Sequence, residues 1–146
     1  MRVGVSPEVA FDYLVEPRNR RAWQSSLAGV EQVTGEPRVG QRWVDVTRAG
    51  PRPAMETTEL DRPRRWSERG TWRGVEAVLT LEFSTTPAGC EIGYSVLVRG
   101  RGVLAPAAWV LGKLAPVAVR SDLTRAARIL EAGTGRGAGD HGGRRQ

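Results

Sequence analysis

Residues 6–27 read SPEVAFDYLVEPRNRRAWQSSL, and the two prolines in that stretch decide what kind of fold can hold it. Ser6 is a helix cap, Pro7 fits the first helical position, and Glu8 sits where the positive end of a helix favours a carboxylate. Val9, Ala10, Phe11, Tyr13 and Leu14 supply apolar surface until Pro17, which cannot continue the helix. About eight residues are too few for a helix to persist alone in water, so the segment must lie against a larger body. The remainder, PRNRRAWQSSL, restarts helically at Pro17 or Arg18 with Trp23 as its anchor. Two short helices bent at a proline form a wedge.

Outward from the wedge the chain reads as strands. GVEQVTGEP (29–37) and GQRWVDVTRAG (40–50) are separated by Pro37 and Gly40, PAMETTELD (53–61) ends at Arg62-Pro63, and RRWSERGT (64–71) leads through Gly74 into VEAVLTLEF (75–83). Val75, Ala77, Leu79, Leu81 and Phe83 share one face. After the turn STTPAG, the residues Cys90, Ile92, Tyr94, Val96 and Val98 share another. This is an antiparallel hairpin with one buried face.

From residue 103 to 132 the period changes. Leu104, Ala108, Leu111, Ala115, Ala118, Leu123, Ala127 and Leu130 recur at helical spacing, with Gly133 as the expected end and Pro116 as an expected kink or division. VLAPAAWVLGKLAPVAV holds Lys113 and two prolines in a run at the lower limit for crossing a bilayer, so no membrane span is expected. The tail GTGRGAGDHGGRRQ (133–146) has almost nothing apolar to dock and is expected to be disordered. The organisation is a single domain over 1–132. Its fold class is α+β: a short strand, a two-helix wedge, about six further antiparallel strands and one long helix gripped by a curved sheet.

Composition narrows the chemistry. The chain has 146 residues, 40% hydrophobic and 26% charged, which suits one core. Cys90 is the only cysteine and His141 the only histidine, so one chain can assemble no disulfide, no Cys/His zinc set and no Ser–His or Cys–His pair. The start MRVGVSPE lacks the apolar run of a secretory signal, and a cytoplasmic protein is expected. A net charge of +6 invites a nucleic-acid reading. The cations, however, run from Arg2 to Arg145 without forming one stripe, so no specific nucleic-acid partner is expected.

In this order and spacing, the opening stretch together with PRVGQRW, RPRRW, LEF, GCEIGYSV and DLTRAARILE resembles the SRPBCC, or START-like, superfamily, in its bacterial polyketide cyclase/dehydrase branch, over about Val3 to Ala132. The resemblance implies a helix-grip fold of six to seven strands whose sheet and long helix enclose an apolar cavity, closed at one end by the broken helix pair. It implies a hydrophobic ligand of polyketide, lipid or aromatic type and neither metal nor organic cofactor. Residues placed by it or by strand parity to line the cavity are Phe11, Leu14, Trp23, Trp43, Thr57, Glu59, Trp66, Leu79, Leu81, Phe83, Ile92, Val96 and Leu111. For Phe11, Leu14 and Trp23 an ordinary core position is the alternative. On QRWVDVTRA either face can turn inward, with Trp43, Asp45 and Thr47 on one and Val44 and Val46 on the other. Thr57 and Glu59 share a face by parity.

Two departures from the family pattern stand out. The first strand is short, so an N-terminally extended chain is expected to be more stable. Glu68 occupies a position where the family tends to be apolar, two residues from Trp66 and on its face. If Trp66 points inward, Glu68 enters the cavity, where burial suits it to proton transfer; if not, it is solvated beside Arg65 or Arg69. Tyr94, by parity inward, is the second candidate for catalysis, with a core tyrosine as the alternative. Three functions remain open: a cofactor-independent cyclase or dehydratase, a carrier or sensor of a lipid or other hydrophobic metabolite, and a partner-binding module like the chaperone-activator relatives. Oligomeric state is not readable from the sequence.

Overall fold

A computed structural model of the chain describes residues 1–137, excluding the side chains of 106–111 and 136–137. Strand β1 (Arg2–Val3) is followed by helix α1 (Pro7–Val15), a single 3₁₀ turn at Pro17–Asn19 and helix α2 (Arg20–Trp23). Strands β2 (Leu27–Glu31), β3 (Arg42–Thr47), β4 (Ala54–Asp61), β5 (Arg65–Trp72), β6 (Val75–Thr86) and β7 (Gly89–Gly100) then form a meander. After a 3₁₀ turn at Gly102–Leu104, helix α3 (Ala105–Gly137) closes the chain. All strand pairs are antiparallel, in the order β1-β7-β6-β5-β4-β3-β2. This is the helix-grip arrangement.

Local chemistry sets the bend between α1 and α2. Ser6 accepts from the Val9 amide at the start of α1. Glu16 precedes a proline and is extended, which ends the helix there. Its carboxylate accepts from the Arg18 amide at 3.0 Å, and the Asn19 side chain donates back to the Tyr13 carbonyl at 3.0 Å. The two short helices are thereby fixed relative to each other. Arg20, the first residue of α2, points into the protein.

Between β5 and β6 the chain reverses on Arg73 (φ 45°) and Gly74 (φ 79°), two left-handed residues in a row, as a two-residue hairpin turn requires. Gly89 serves a different need: a Cβ there would stand 2.2 Å from the Val3 carbonyl oxygen, so only glycine lets β1 lie on β7. A bulge between Thr57 and Glu59 shifts the register of β4 against β5.

Helix α3 lies along β7 and buries Leu123, Ala126 and Leu130. Of the two outcomes expected at Pro116, a kink or a division, the division does not occur, and the expected end at Gly133 is corrected: the helix continues past it. A glycine costs a helix about 1 kcal/mol relative to alanine, which a continuing helix can absorb, and the Thr134 hydroxyl bonds the Glu131 carbonyl one turn back. Most of the expected tail, residues 138–146, lies outside the described residues. Among the described residues no helix is long and apolar enough to cross a membrane.

Candidate functional site

Three charged side chains from three elements meet inside the sheet's concave face. Arg20 of α2 donates through Nε to Asp45 Oδ1 (3.0 Å) and through Nη2 to Asp45 Oδ2 (2.8 Å). It also donates through Nη1 to Glu68 Oε2 (2.6 Å) and through Nη2 to Glu68 Oε1 (3.2 Å). Asp45 Oδ1 accepts a further bond from Trp43 Nε1 at 3.0 Å, and the guanidinium lies 5.2 Å from the Trp43 ring centroid. All four residues are buried. The planar fork of an arginine is what allows one cation to hold two carboxylates in this way.

The cluster carries two potential negative charges against one positive. Burial pushes the Glu68 carboxyl above its ordinary range; Arg20 opposes the shift and Asp45 adds to it. Burial alone would lower the Arg20 pKa, but Glu68 and Asp45 together hold the guanidinium still more firmly protonated.

Across β5, β6 and β7 the inward side chains form rows. Trp66, Leu81 and Tyr94 make one, and Glu68, Leu79 and Val96 the next. Gly70, Ala77 and Val98 follow, then Trp72, Val75 and Gly100 at the hairpin end. Towards α1 the interior is solid. Trp66 and Leu81 are 0% exposed, Phe11 meets Phe83 edge-on at 5.3 Å between centroids, and Trp66 Nε1 donates to Thr57 Oγ1 at 3.3 Å. Beyond Glu68 the side chains of β5, β6 and β7 shrink to Gly, Ala and Val, and Ala77, Val98 and Val75 are only half-buried, while Met55 of β4 covers Gly70 and Gly112 of α3 lies close to Val98. The buried charge cluster marks the boundary between the two halves.

Residues 1–133 match the protein family described as polyketide cyclase/dehydrase and lipid transport. The chain belongs to that family. Among solved structures, protein MLL2253 from Mesorhizobium loti is 16% identical with a TM-score of 0.71, over 90% of this chain and 93% of that one. The di-domain aromatase/cyclase StfQ of the steffimycin biosynthetic pathway is 14% identical with a TM-score of 0.73, over 92% of this chain and 50% of that one. A protein from Rhodobacter sphaeroides is 18% identical with a TM-score of 0.65, over 90% and 89%. At such identities these likenesses establish the fold. No curated protein matches the sequence.

In this member of the cyclase/dehydrase and lipid-transport family, the residues expected to line a cavity fall into three groups. Phe11, Leu14, Trp23, Trp43, Trp66, Leu81, Phe83 and Ile92 are packed against one another in the core. Their near-zero exposure leaves no water-sized void against them, so the apolar cavity expected over this whole surface is filled at this end. Leu79, Val96 and Thr57 stand in or beside the Glu68 row. Glu59 is the clear correction. The bulge after Thr57 breaks the parity that joined the two, and Glu59 turns to the outer face, where it accepts from Arg65 Nε (2.9 Å) and Ser67 Oγ (3.2 Å). The side chain of Leu111 lies outside the described residues.

The two catalytic candidates are not brought together. Tyr94 lies on β7, two strands from Glu68, and borders a separate groove with Met1, Arg120 and Thr124. The inward face of β3 is the one bearing Trp43 and Asp45. Arg20 was hidden in the basic run RNRR, where nothing distinguishes a buried arginine from its solvated neighbours. Among the described residues no group of three or more His, Cys, Asp or Glu side chains is placed to hold a metal ion.

Proposed function

We propose that this chain binds a hydrophobic small molecule between the open end of the concave sheet and the first half of α3, with the Arg20–Asp45–Glu68 cluster as the polar wall of the site. The observation that carries this reading is the row Gly70–Ala77–Val98. Its side chains are small and half-buried at Ala77 and Val98, Met55 closes it over Gly70, and it adjoins a buried carboxylate. Binding sites of this kind are mostly apolar with few, fixed polar groups. Membership of a family of cyclases, dehydrases and lipid transporters supports the same class of ligand.

Enlarging Ala77 to Trp fills the space from the sheet side. The expected result is loss of binding of the fluorescent probe 1-anilinonaphthalene-8-sulfonate, with a thermal midpoint within a few degrees of the parent. Undiminished probe binding by a folded Ala77→Trp variant would sink the reading. Native mass spectrometry of protein gently isolated from its own host, with its organic extract beside it, then gives the ligand's chemical class.

A second reading, catalysis, is favoured by one specific observation: Glu68 borders the open rows and its carboxyl is held above its usual range by burial. A protonated Glu68 would donate to a ligand carbonyl oxygen during enolisation or to a departing hydroxyl during dehydration, and take a proton back in the ionised form. Positioning by the apolar walls would supply much of any rate gain. Glu68→Gln separates the readings. Binding kept with turnover lost assigns proton transfer to Glu68, whereas turnover unchanged removes that role.

A further inference from the structure

The outward side of α3 changes character half-way along. In the second half it carries Ser121, Arg125 and Arg128; in the first half the same side carries Leu114 and Val117, which are 61% and 71% exposed. Val103, just before the helix, is 94% exposed, and Trp72 at the neighbouring hairpin tip is 37% exposed. The backbone joins these elements. The Arg101 amide donates to the Gly74 carbonyl at 3.2 Å, and the Leu104 side chain lies 3.5 Å from where a Cβ on Gly74 would stand.

The charge around this surface is predominantly positive. From Ile92 to Ser121 the sequence contains no Asp or Glu, yet it contains Arg99, Arg101, Lys113 and Arg120. Arg73 stacks over Trp72 at 4.8 Å from the ring centroid. Glu76, the one acid of the hairpin tip, faces Arg99 across the strands. Large aliphatic side chains left in water beside one another mark a surface that meets something. A protein partner would call for a rim of evenly mixed sign, whereas a predominantly cationic rim around protruding aliphatic groups matches anionic lipid headgroups over acyl chains.

We propose that this end of the molecule docks on an anionic lipid bilayer, with Val103, Leu114 and Val117 entering the headgroup layer and Arg73 and Arg101 pairing with lipid phosphates and carboxylates. The contact is peripheral. It stands independently of the ligand reading above, because it concerns the outer surface and is measured on unliganded protein.

The test is co-sedimentation of the whole chain with phosphatidylcholine vesicles and with vesicles containing about one third phosphatidylserine. Binding is expected to the second kind alone, and to fall at least tenfold as salt rises from about 0.1 M to about 0.5 M. Leu114→Glu/Val117→Glu and Arg73→Gln/Arg101→Gln are each expected to lower the bound fraction at least tenfold without moving Tm, since these side chains lie outside the core. Equal binding to both vesicle types would overturn the proposal, as would binding to neither. Concentration-dependent self-association that Leu114→Glu removes, with no vesicle binding, would also overturn it by assigning the face to a second copy.

Discussion

The two ends of the same concave sheet carry side chains of very different size. Under α1, the rows ending in Phe83–Ile92 and Trp66–Leu81 pack aromatic and branched side chains to near-zero exposure. Under the first half of α3, the same strands carry Gly70, Ala77, Val98 and Val75. Backbone, register and alternation across β5, β6 and β7 are continuous between them, so the difference lies in side-chain volume, bulky at one end and small at the other. Between the ends the chain places its most expensive feature, a buried ion cluster with an excess of carboxylate.

The strongest way to break that division is to remove its boundary cation. Arg20→Met leaves Asp45 and Glu68 buried without a cation and is expected to lose about 3–5 kcal/mol in urea unfolding. An unchanged midpoint would mean that the carboxylates escape to solvent and that the boundary is soft. Next in size, Leu81→Ala at the closed end should lose about 2–5 kcal/mol, because the packed surroundings cannot collapse onto the gap. Val98→Ala at the open end removes less volume from a site already half-exposed, and about 1 kcal/mol or less is expected. Equal losses at the two ends would erase the distinction.

The smallest effect concerns pH. Because the folded-state pKa of Glu68 is raised, the folded protein holds this proton more tightly than the unfolded chain does. The associated stability is fully present below the ordinary glutamate range and is lost as pH rises from there through the raised pKa. Glu68→Gln keeps the acceptor oxygen for Arg20 and removes the titration. Its Tm is therefore expected to decline less than the parent's between about pH 4 and pH 8. Parallel Tm profiles would show that Glu68 stays ionised throughout.

Much of the fold was legible because periodicity reports burial directly. The alternation in VEAVLTLEF and CEIGYSVLVRG, and the proline-broken opening, describe β6, β7, α1 and α2 with little ambiguity. Glu68 was legible too, by parity from Trp66. The bulge at Thr57 was not: one extra residue inverts the face of everything beyond it, and no side chain in METTELD signals it. Arg20 was missed for a different reason. Its burial depends on Asp45 and Glu68 arriving from strands far along the chain, and a run of arginines reads as solvated surface until those partners are in place. The filling of the α1 end was left open by the sequence, since the same aromatic residues can line a cavity or occlude it.

The two-residue strand β1 has a meaning beyond its size. It covers the start of β7 through the pairs Val3 with Cys90 and Arg2 with Glu91, and only a glycine at position 89 lets it approach. A strand's free edge is a template on which another chain can add itself. Met1, Arg2 and Val3 therefore act as a guard rail. Gly89→Ala is expected to push them off, expose that stretch of β7 and show itself as turbidity in concentrated protein before any loss of secondary structure.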